Sequence, residues 1–286
     1  MAAGYLAELV ALFGCPVDEN PTGAMQEAAF RACGLNWRYL TMEVKPADLG
    51  NAIAGAKAMG IRGLNLTIPH KVAVIPYLDA LSVEADLIGA VNTVRPDGEH
   101  WIGENTDGKG FLRGLREDAG LDVRGKRAVI LGAGGAARAI AVELLLAGVA
   151  ELTVVNRGEK RGREMAEDLE ERLERPVQFE AWGEQSFPVA PEVDVLVNAT
   201  CLGLYPDVQA KPAVDLDNAK RDLLVADAVF NPAETRLLRE ARQQGFRTLD
   251  GLSMLVYQGV AGFEMWTGVD APEKVMKEAL AQELVK

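Results

Sequence analysis

The sequence predicts a two-domain α/β protein. Strand-like and helix-like segments alternate through the first third, the alternation restarts near Arg127, and a glycine-rich turn sits between an apolar strand and a small-residue helix at that restart. At 286 residues, 49% hydrophobic and 25% charged, the chain is long enough and apolar enough for two ordinary soluble cores.

The opening run to Gly14 is apolar, but it has no basic start and Glu8 interrupts it, so it reads as a buried first strand over residues 9–13 rather than a leader. A helix over 24–33, a strand over 39–44, a helix over 47–59 and a strand over 63–68 follow, the pattern of βαβ units around a mostly parallel sheet. The charged, glycine-containing stretch 118–126 reads as a turn or linker between the two series. The second series has strands over 128–131, 152–155 and 194–198, with one helix running through Leu146 and another over 159–173. From Gly251 the sequence predicts an amphipathic helix, a break over 267–272 and a final helix.

The formal net charge of -12 argues against affinity for nucleic acid or anionic lipid, so we expect neither as a partner. No apolar stretch is long enough without a charge to span a bilayer. Cys15, Cys33 and Cys201 are few, odd in number and far apart, which predicts neither a disulfide framework nor a zinc site and points to the cytoplasm. His70 and His100 lack metal-ligand spacing, and no metal is expected. Met254, Met265 and Trp266, at helical spacing, read as core.

Gly132, Ala133, Gly134, Gly135, Ala136 and Ala137 follow the apolar run 128–131 and open a helix, which is G-x-G-x-x-A in the context that a dinucleotide site requires. The first glycine permits the tight turn, the second lets backbone N–H groups approach a pyrophosphate, and the helix N-terminus offers partial positive charge. Where a carboxylate would hold a ribose 2′-hydroxyl, the next strand ends in Asn156 and Arg157, with Lys160 and Arg161 just beyond. A carboxylate there would repel a 2′-phosphate, whereas guanidinium groups clamp it, so NADP (NADPH) is the expected cofactor.

Three further clusters carry chemistry: residues 65–71, ending in His70-Lys71; Gly89-Ala90-Val91-Asn92-Thr93; and residues 105–111 around Asp107, each read at loop-like positions. A lysine paired with an aspartate can supply the proton that a reduced ketone needs.

These clusters as a set resemble the shikimate dehydrogenase family over nearly the whole chain. Residues 65–71 are similar to its N-V-T-x-P-x-K, 89–93 to G-A-V-N-T, 105–111 to N-T-D-x-x-G-F, 198–204 to N-A-T-S-x-G-L, and 251–268 to its closing G-x-x-M-L-x-x-Q…W-T-G. The resemblance implies that Lys71 and Asp107 form the catalytic pair, and that Thr67, Asn92, Asp107 and Gln258 hold ring hydroxyls. It implies NADP contacts from Gly132, Ala133, Gly134, Gly135, Ala136, Asn156, Arg157, Arg161, Thr200 and Gly251. The implied architecture is an α/β substrate-binding and catalytic domain, residues 1–110 plus 251–286, and a Rossmann-type doubly wound NADP domain, residues 111–250, with a cleft between them. The implied reaction is reversible NADP-dependent reduction of 3-dehydroshikimate to shikimate, by a monomer or homodimer whose only other partner is a small ring acid.

Two places depart from that pattern. The family's opening G-x-P-I-x-H-S-x-S-P-x-M-H-N, whose serines bind the substrate carboxylate, is matched here by residues 14–27, with Asn20 and Thr22 at the serine positions and Asp18 and Glu19 beside them. Asn20 and Thr22 can still donate hydrogen bonds to a carboxylate, while the acids oppose one. Phe230 stands where the family usually has tyrosine. Two substrate readings therefore stand open, shikimate or a paralogue's preference for quinate or another ring acid, beside a non-catalytic nucleotide sensor on the same fold.

Overall fold

The computed structural model describes residues 6–284, which divide into two compact units, residues 6–106 with 256–284 and residues 107–255. The first five residues of the predicted opening strand's apolar run lie outside the described residues.

The first unit begins with β1 (Glu8–Gly14), α1 (Thr22–Ala32), β2 (Trp37–Glu43), α2 (Leu49–Ala58) and β3 (Leu64–Leu66). Next come α3 (His70–Ala73), β4 (Ala80–Leu81), α4 (Val83–Ile88), β5 (Thr93–Asp97) and β6 (His100–Glu104). Its sheet runs in the order β2-β1-β3-β5-β6-β4. β1 is parallel to both β2 and β3, but β5 is antiparallel to β3 and to β6, so the mostly parallel sheet expected from the sequence is a mixed one. β5 comes back antiparallel to β3 after the 67–92 connection, and Gly98, at φ 61 between β5 and β6, then turns the chain directly back in a hairpin instead of through a crossover helix. Phe13, Leu49, Ile53, Leu64, Leu66, Val94 and Trp101 form the core on one face of this sheet.

The second unit opens with α5 (Asp107–Glu117), then β7 (Arg127–Leu131), α6 (Gly135–Leu146), β8 (Glu151–Asn156), α7 (Glu159–Leu173) and β9 (Val177–Ala181). It continues with β10 (Phe187–Pro188), β11 (Val195–Asn198), β12 (Val214–Asp215), β13 (Leu224–Asp227), α8 (Arg236–Gln243) and β14 (Arg247–Leu249). The main sheet has the order β14-β13-β11-β7-β8-β9 and every pairing in it is parallel. The chain thus starts at the centre with β7, winds out through β8 and β9, then returns beside β7 and winds out the other way. That is the doubly wound dinucleotide-binding topology, with its switch point between β7 and β11. Both faces of such a sheet are covered, which is why β7, β11 and β13 read as unbroken apolar runs.

The stretch 118–126, read from the sequence as a linker, lies inside this second unit and joins α5 to β7. Residues 107–111, read as loop, form the first turn and a half of α5. Gly108 is required there: a Cβ would collide with the Ala139 carbonyl and the Glu143 side chain on α6. The chain then passes through α9 (Gly251–Thr267) back to the first unit and ends in α10 (Glu273–Glu283), with the break between them where the sequence predicts it. In the first unit Trp266 donates from Nε1 to the Val94 carbonyl at 3.0 Å, and Phe30 stacks on Phe263 with ring centroids 5.5 Å apart. These contacts fasten the returning helix to β5 and α1.

Candidate active site

In the first unit the candidate substrate residues lie at the carboxyl ends of β1 and β3, where open α/β sheets bind ligands. The two strand ends are bonded together: Thr67 N donates to the Phe13 carbonyl at 3.0 Å, and Cys15 N to the Ile68 carbonyl at 3.0 Å. No side chain fits at Gly14, because a Cβ would run into the Thr67 methyl and approach Val17 Cγ1 to 2.7 Å. Lys71 is half-buried in α3, and its carbonyl accepts the Val91 N–H at 2.7 Å, which ties the 89–93 segment to the lysine. Leu66 N donates to the Asn92 carbonyl at 2.8 Å, so the loops after β3 and before β5 close against each other.

A buried polar network stiffens this floor. Tyr39 donates its hydroxyl to Asn65 Oδ1 at 2.7 Å, and Asn65 Nδ2 donates to the Asn92 carbonyl and to Thr93 Oγ1. Burial pushes the Tyr39 phenol well above its ordinary value, so it stays a neutral donor. Asn92 accepts the Thr106 N–H at 2.7 Å and donates to Thr106 Oγ1 at 3.0 Å. Its carboxamide therefore fixes the residue just before Asp107, the first residue of α5. Gln258 is buried on α9, and Gln26 Nε2 donates to the adjacent Gly259 carbonyl at 2.8 Å.

His70, given no role from the sequence, is fully buried and donates from Nε2 to the Val44 carbonyl at 2.6 Å. Neither it, Tyr39 nor Gln26 carried a sequence signal, because each owes its position to a partner distant along the chain.

In the second unit the glycine turn joins β7 to α6. Gly132 has φ 109, and a Cβ on it would lie 2.9 Å from the Ala199 carbonyl oxygen, so only glycine fits. Nothing lies within 4 Å of a Cβ built on Gly134 or Gly135, which leaves open space above the N-terminus of α6. Ala133 is buried, Ala136 half-buried, and Ala137 wholly buried where helix meets strand. Asn156 ends β8 and its Nδ2 donates to the Gly158 carbonyl at 2.9 Å. Arg157 and Arg161 are exposed, and Arg157 lines a cavity of about 500 Å³ with Trp182, Leu202 and Lys211. An open glycine cradle at a helix N-terminus fits a pyrophosphate, and Arg157 and Lys211, with Glu184 also in the lining, give the separate cavity cations for a phosphate.

Thr200 is held by Asn198, whose Oδ1 accepts both the Thr200 N–H and its hydroxyl. Gly251 must be glycine for packing, since a Cβ would strike the Val229 carbonyl. Asp227, which the sequence did not single out, is fully buried at the end of β13, and burial pushes its carboxyl up to about 7 against the donors Val229, Thr235 and Asn198. Phe230, three residues on, is half-buried.

Among the described residues no helix is long and apolar enough to cross a membrane, and no cluster of His, Cys, Asp and Glu could hold a metal ion.

Fold and site together define a two-unit α/β protein of the dinucleotide-binding class. Three family descriptions match it in sequence order: the shikimate dehydrogenase substrate binding domain over residues 12–94, shikimate / quinate 5-dehydrogenase over 115–231, and the shikimate 5′-dehydrogenase C-terminal domain over 251–281. The NADP(+) shikimate dehydrogenase of Methanopyrus kandleri is 46% identical, with 96% of each chain covered. Among solved structures, ligand-free 5-ketofructose reductase of a Gluconobacter species superposes with a TM-score of 0.94 at 44% identity, covering 98% of this chain and 99% of the other. A shikimate dehydrogenase in complex with NADP+ superposes with a TM-score of 0.90 at 39% identity, covering 98% and 96%. The chain belongs to the shikimate dehydrogenase family.

Proposed function

We propose that this protein is an NADP-dependent shikimate dehydrogenase, reversibly reducing 3-dehydroshikimate to shikimate. The observation that carries the reading is that family identity runs through both units at once, the substrate part over 12–94 and the cofactor part over 115–231.

NADPH, when bound, supplies the hydride. Gly132, Ala133, Gly134, Gly135 and Ala136 would face its pyrophosphate with backbone N–H groups, Asn156, Arg157 and Arg161 its 2′-phosphate, and Thr200 and Gly251 its remaining length. Thr67, Asn92 and Gln258 hold the ring hydroxyls, and Asn20 and Thr22 face the carboxylate. Lys71 donates a proton to the carbonyl oxygen as it gains negative charge, and Asp107 is the carboxylate assigned to the same proton chemistry. The proposal includes a cytoplasmic home, consistent with three free cysteines, and a monomer or homodimer.

A second substrate reading has one specific support. The Gluconobacter relative is named for 5-ketofructose, a keto-sugar without a carboxylate, and in this chain the acids Asp18 and Glu19 stand beside the residues assigned to a carboxylate.

The test of the proposed activity is to mix protein, NADP+ and shikimate and follow absorbance of the reduced nicotinamide. Steady formation of NADPH is the expected result, and none at any shikimate concentration overturns the assignment.

A further inference from the structure

The turn that leads into α1 is built for hydroxyl groups rather than for an anion. Its backbone donors are already committed: Asn20 N–H donates to the Val17 carbonyl at 3.0 Å, Thr22 N–H to Asn20 Oδ1 at 3.0 Å, and Ala24 N–H to the Pro21 carbonyl at 3.1 Å. These three backbone N–H groups are spent within the turn, so an anion here would have to be held by side chains.

Charge acts in the same direction. Asp18 and Glu19 are exposed just before Asn20, and no lysine or arginine occurs between Gly14 and Phe30 to offset them. A substrate carboxylate here meets like charge, and this segment itself supplies no cation.

What the turn leaves for a ligand is neutral. Once its oxygen is used, the Asn20 carboxamide keeps two N–H donors, and Thr22, 4% exposed, brings a hydroxyl that both donates and accepts. Gln26 adds an independent observation. It lies four residues after Thr22 on the same face of α1, is fully buried, and donates to the Gly259 carbonyl, yet its Oε1 has no partner. A buried lone pair without a donor adds an acceptor, and no positive charge, to this end of α1.

We propose that the same site also reduces uncharged polyhydroxy ketones, with Asn20 and Thr22 binding hydroxyl groups where a ring carboxylate would otherwise sit. This inference rests on the assignment of NADPH-linked ketone reduction. In the step, the carbonyl carbon gains a hydride from NADPH and the oxygen gains a proton from Lys71. The products are a secondary alcohol and NADP+, and the lysine is reprotonated from solvent.

The experiment compares initial rates of NADPH oxidation by the full chain with 3-dehydroshikimate, with 5-ketofructose, and with an inosose, a six-membered ring ketone bearing only hydroxyls. The inference expects kcat/KM for at least one uncharged ketone within about a hundredfold of that for 3-dehydroshikimate, or above it, the span that a single lost contact covers. The pair Asn20→Ser with Thr22→Ser should move the ratio toward the carboxylate substrate by about tenfold, and Asp18→Asn with Glu19→Gln should raise kcat/KM for that substrate alone. Fluorescence titration with NADPH shows that each variant is folded, and the wild-type ratio stands without them. Turnover of 3-dehydroshikimate with both uncharged ketones more than about a hundredfold slower overturns the inference and leaves the proposed dehydrogenase standing. Turnover of an uncharged ketone without any of 3-dehydroshikimate upholds the inference and overturns shikimate as substrate. NADPH binding without turnover of any ketone overturns both.

Discussion

Asn198 Nδ2 donates to Asp227 Oδ1 at 2.9 Å, joining the carboxyl ends of neighbouring strands β11 and β13. Asp227 also accepts the Val229 N–H at 2.9 Å and the Thr235 hydroxyl at 2.7 Å, yet burial outweighs these donors and raises its carboxyl to about 7. A carboxyl raised in the folded state binds a proton that the unfolded chain releases near its ordinary value. Its contribution to stability is thus complete at low pH and declines as pH rises from about 4 to about 7, by a few kcal/mol at most. Asp227→Asn keeps one acceptor oxygen for Asn198 and Val229 and offers an N–H to Thr235. In that variant the melting temperature should depend less on pH across this window than in the wild type. Parallel pH profiles for the two proteins would refute the raised carboxyl.

Arg157 and Arg161 are proposed to set cofactor choice. Each is exposed, and Arg157 lines a cavity with Trp182, Leu202 and Lys211. Hydrogen bonds to charged groups contribute about 1.5–3 kcal/mol each, so Arg157→Ala should weaken NADPH binding by about 10–100-fold and leave NADH binding nearly unchanged. Titration of both cofactors checks this, and an equal loss for the two would place the guanidinium away from the 2′-phosphate.

How far the fold could be read depended on whether the signal was local. The β7–turn–α6 segment announces itself because glycines, apolar strand and small-residue helix stand together, and α7 begins and ends where the helical pattern of residues 159–173 does. The β5–β6 hairpin, with its Gly98-Glu99 turn, escaped because its strands carry charge and lack a clean apolar alternation. The start of α5 was read as a loop because glycines at 108 and 110 mask a helix whose need for Gly108 is set by α6. Motif residues were legible as chemistry. Their supports were not: Tyr39 on Asn65, Gln26 on Gly259 and His70 on Val44 join residues that only the folded sheet brings together.

Gly132 and Gly134 should separate stability from binding. Gly132→Ala puts a methyl 2.9 Å from the Ala199 carbonyl at φ 109, which costs about 2 kcal/mol or more and should lower the melting temperature by several degrees. Gly134→Ala adds a methyl in open space, so its melting temperature should stay close to the wild type while NADPH affinity falls, because the methyl stands where the pyrophosphate approaches. Thermal melts and NADPH titrations on the two variants test the contrast. Unchanged NADPH affinity in Gly134→Ala would mean that the dinucleotide does not cross this turn.

Lys71 carries the proton chemistry in the proposed mechanism, and its surroundings make the test clean. Its backbone is held by Val91 N–H on its carbonyl, and its side chain is half-buried rather than part of the core, so truncation removes the ammonium without collapsing the floor built by Asn65 and Asn92. General acid catalysis contributes about 10²–10⁴-fold, so Lys71→Ala should lower kcat by that factor while the Kd for NADPH stays within about twofold of the wild type. The loss should lie in kcat rather than in KM, because a proton donor acts on the charge that develops in the transition state. Full turnover in Lys71→Ala would assign the proton to another group and remove the lysine from the mechanism.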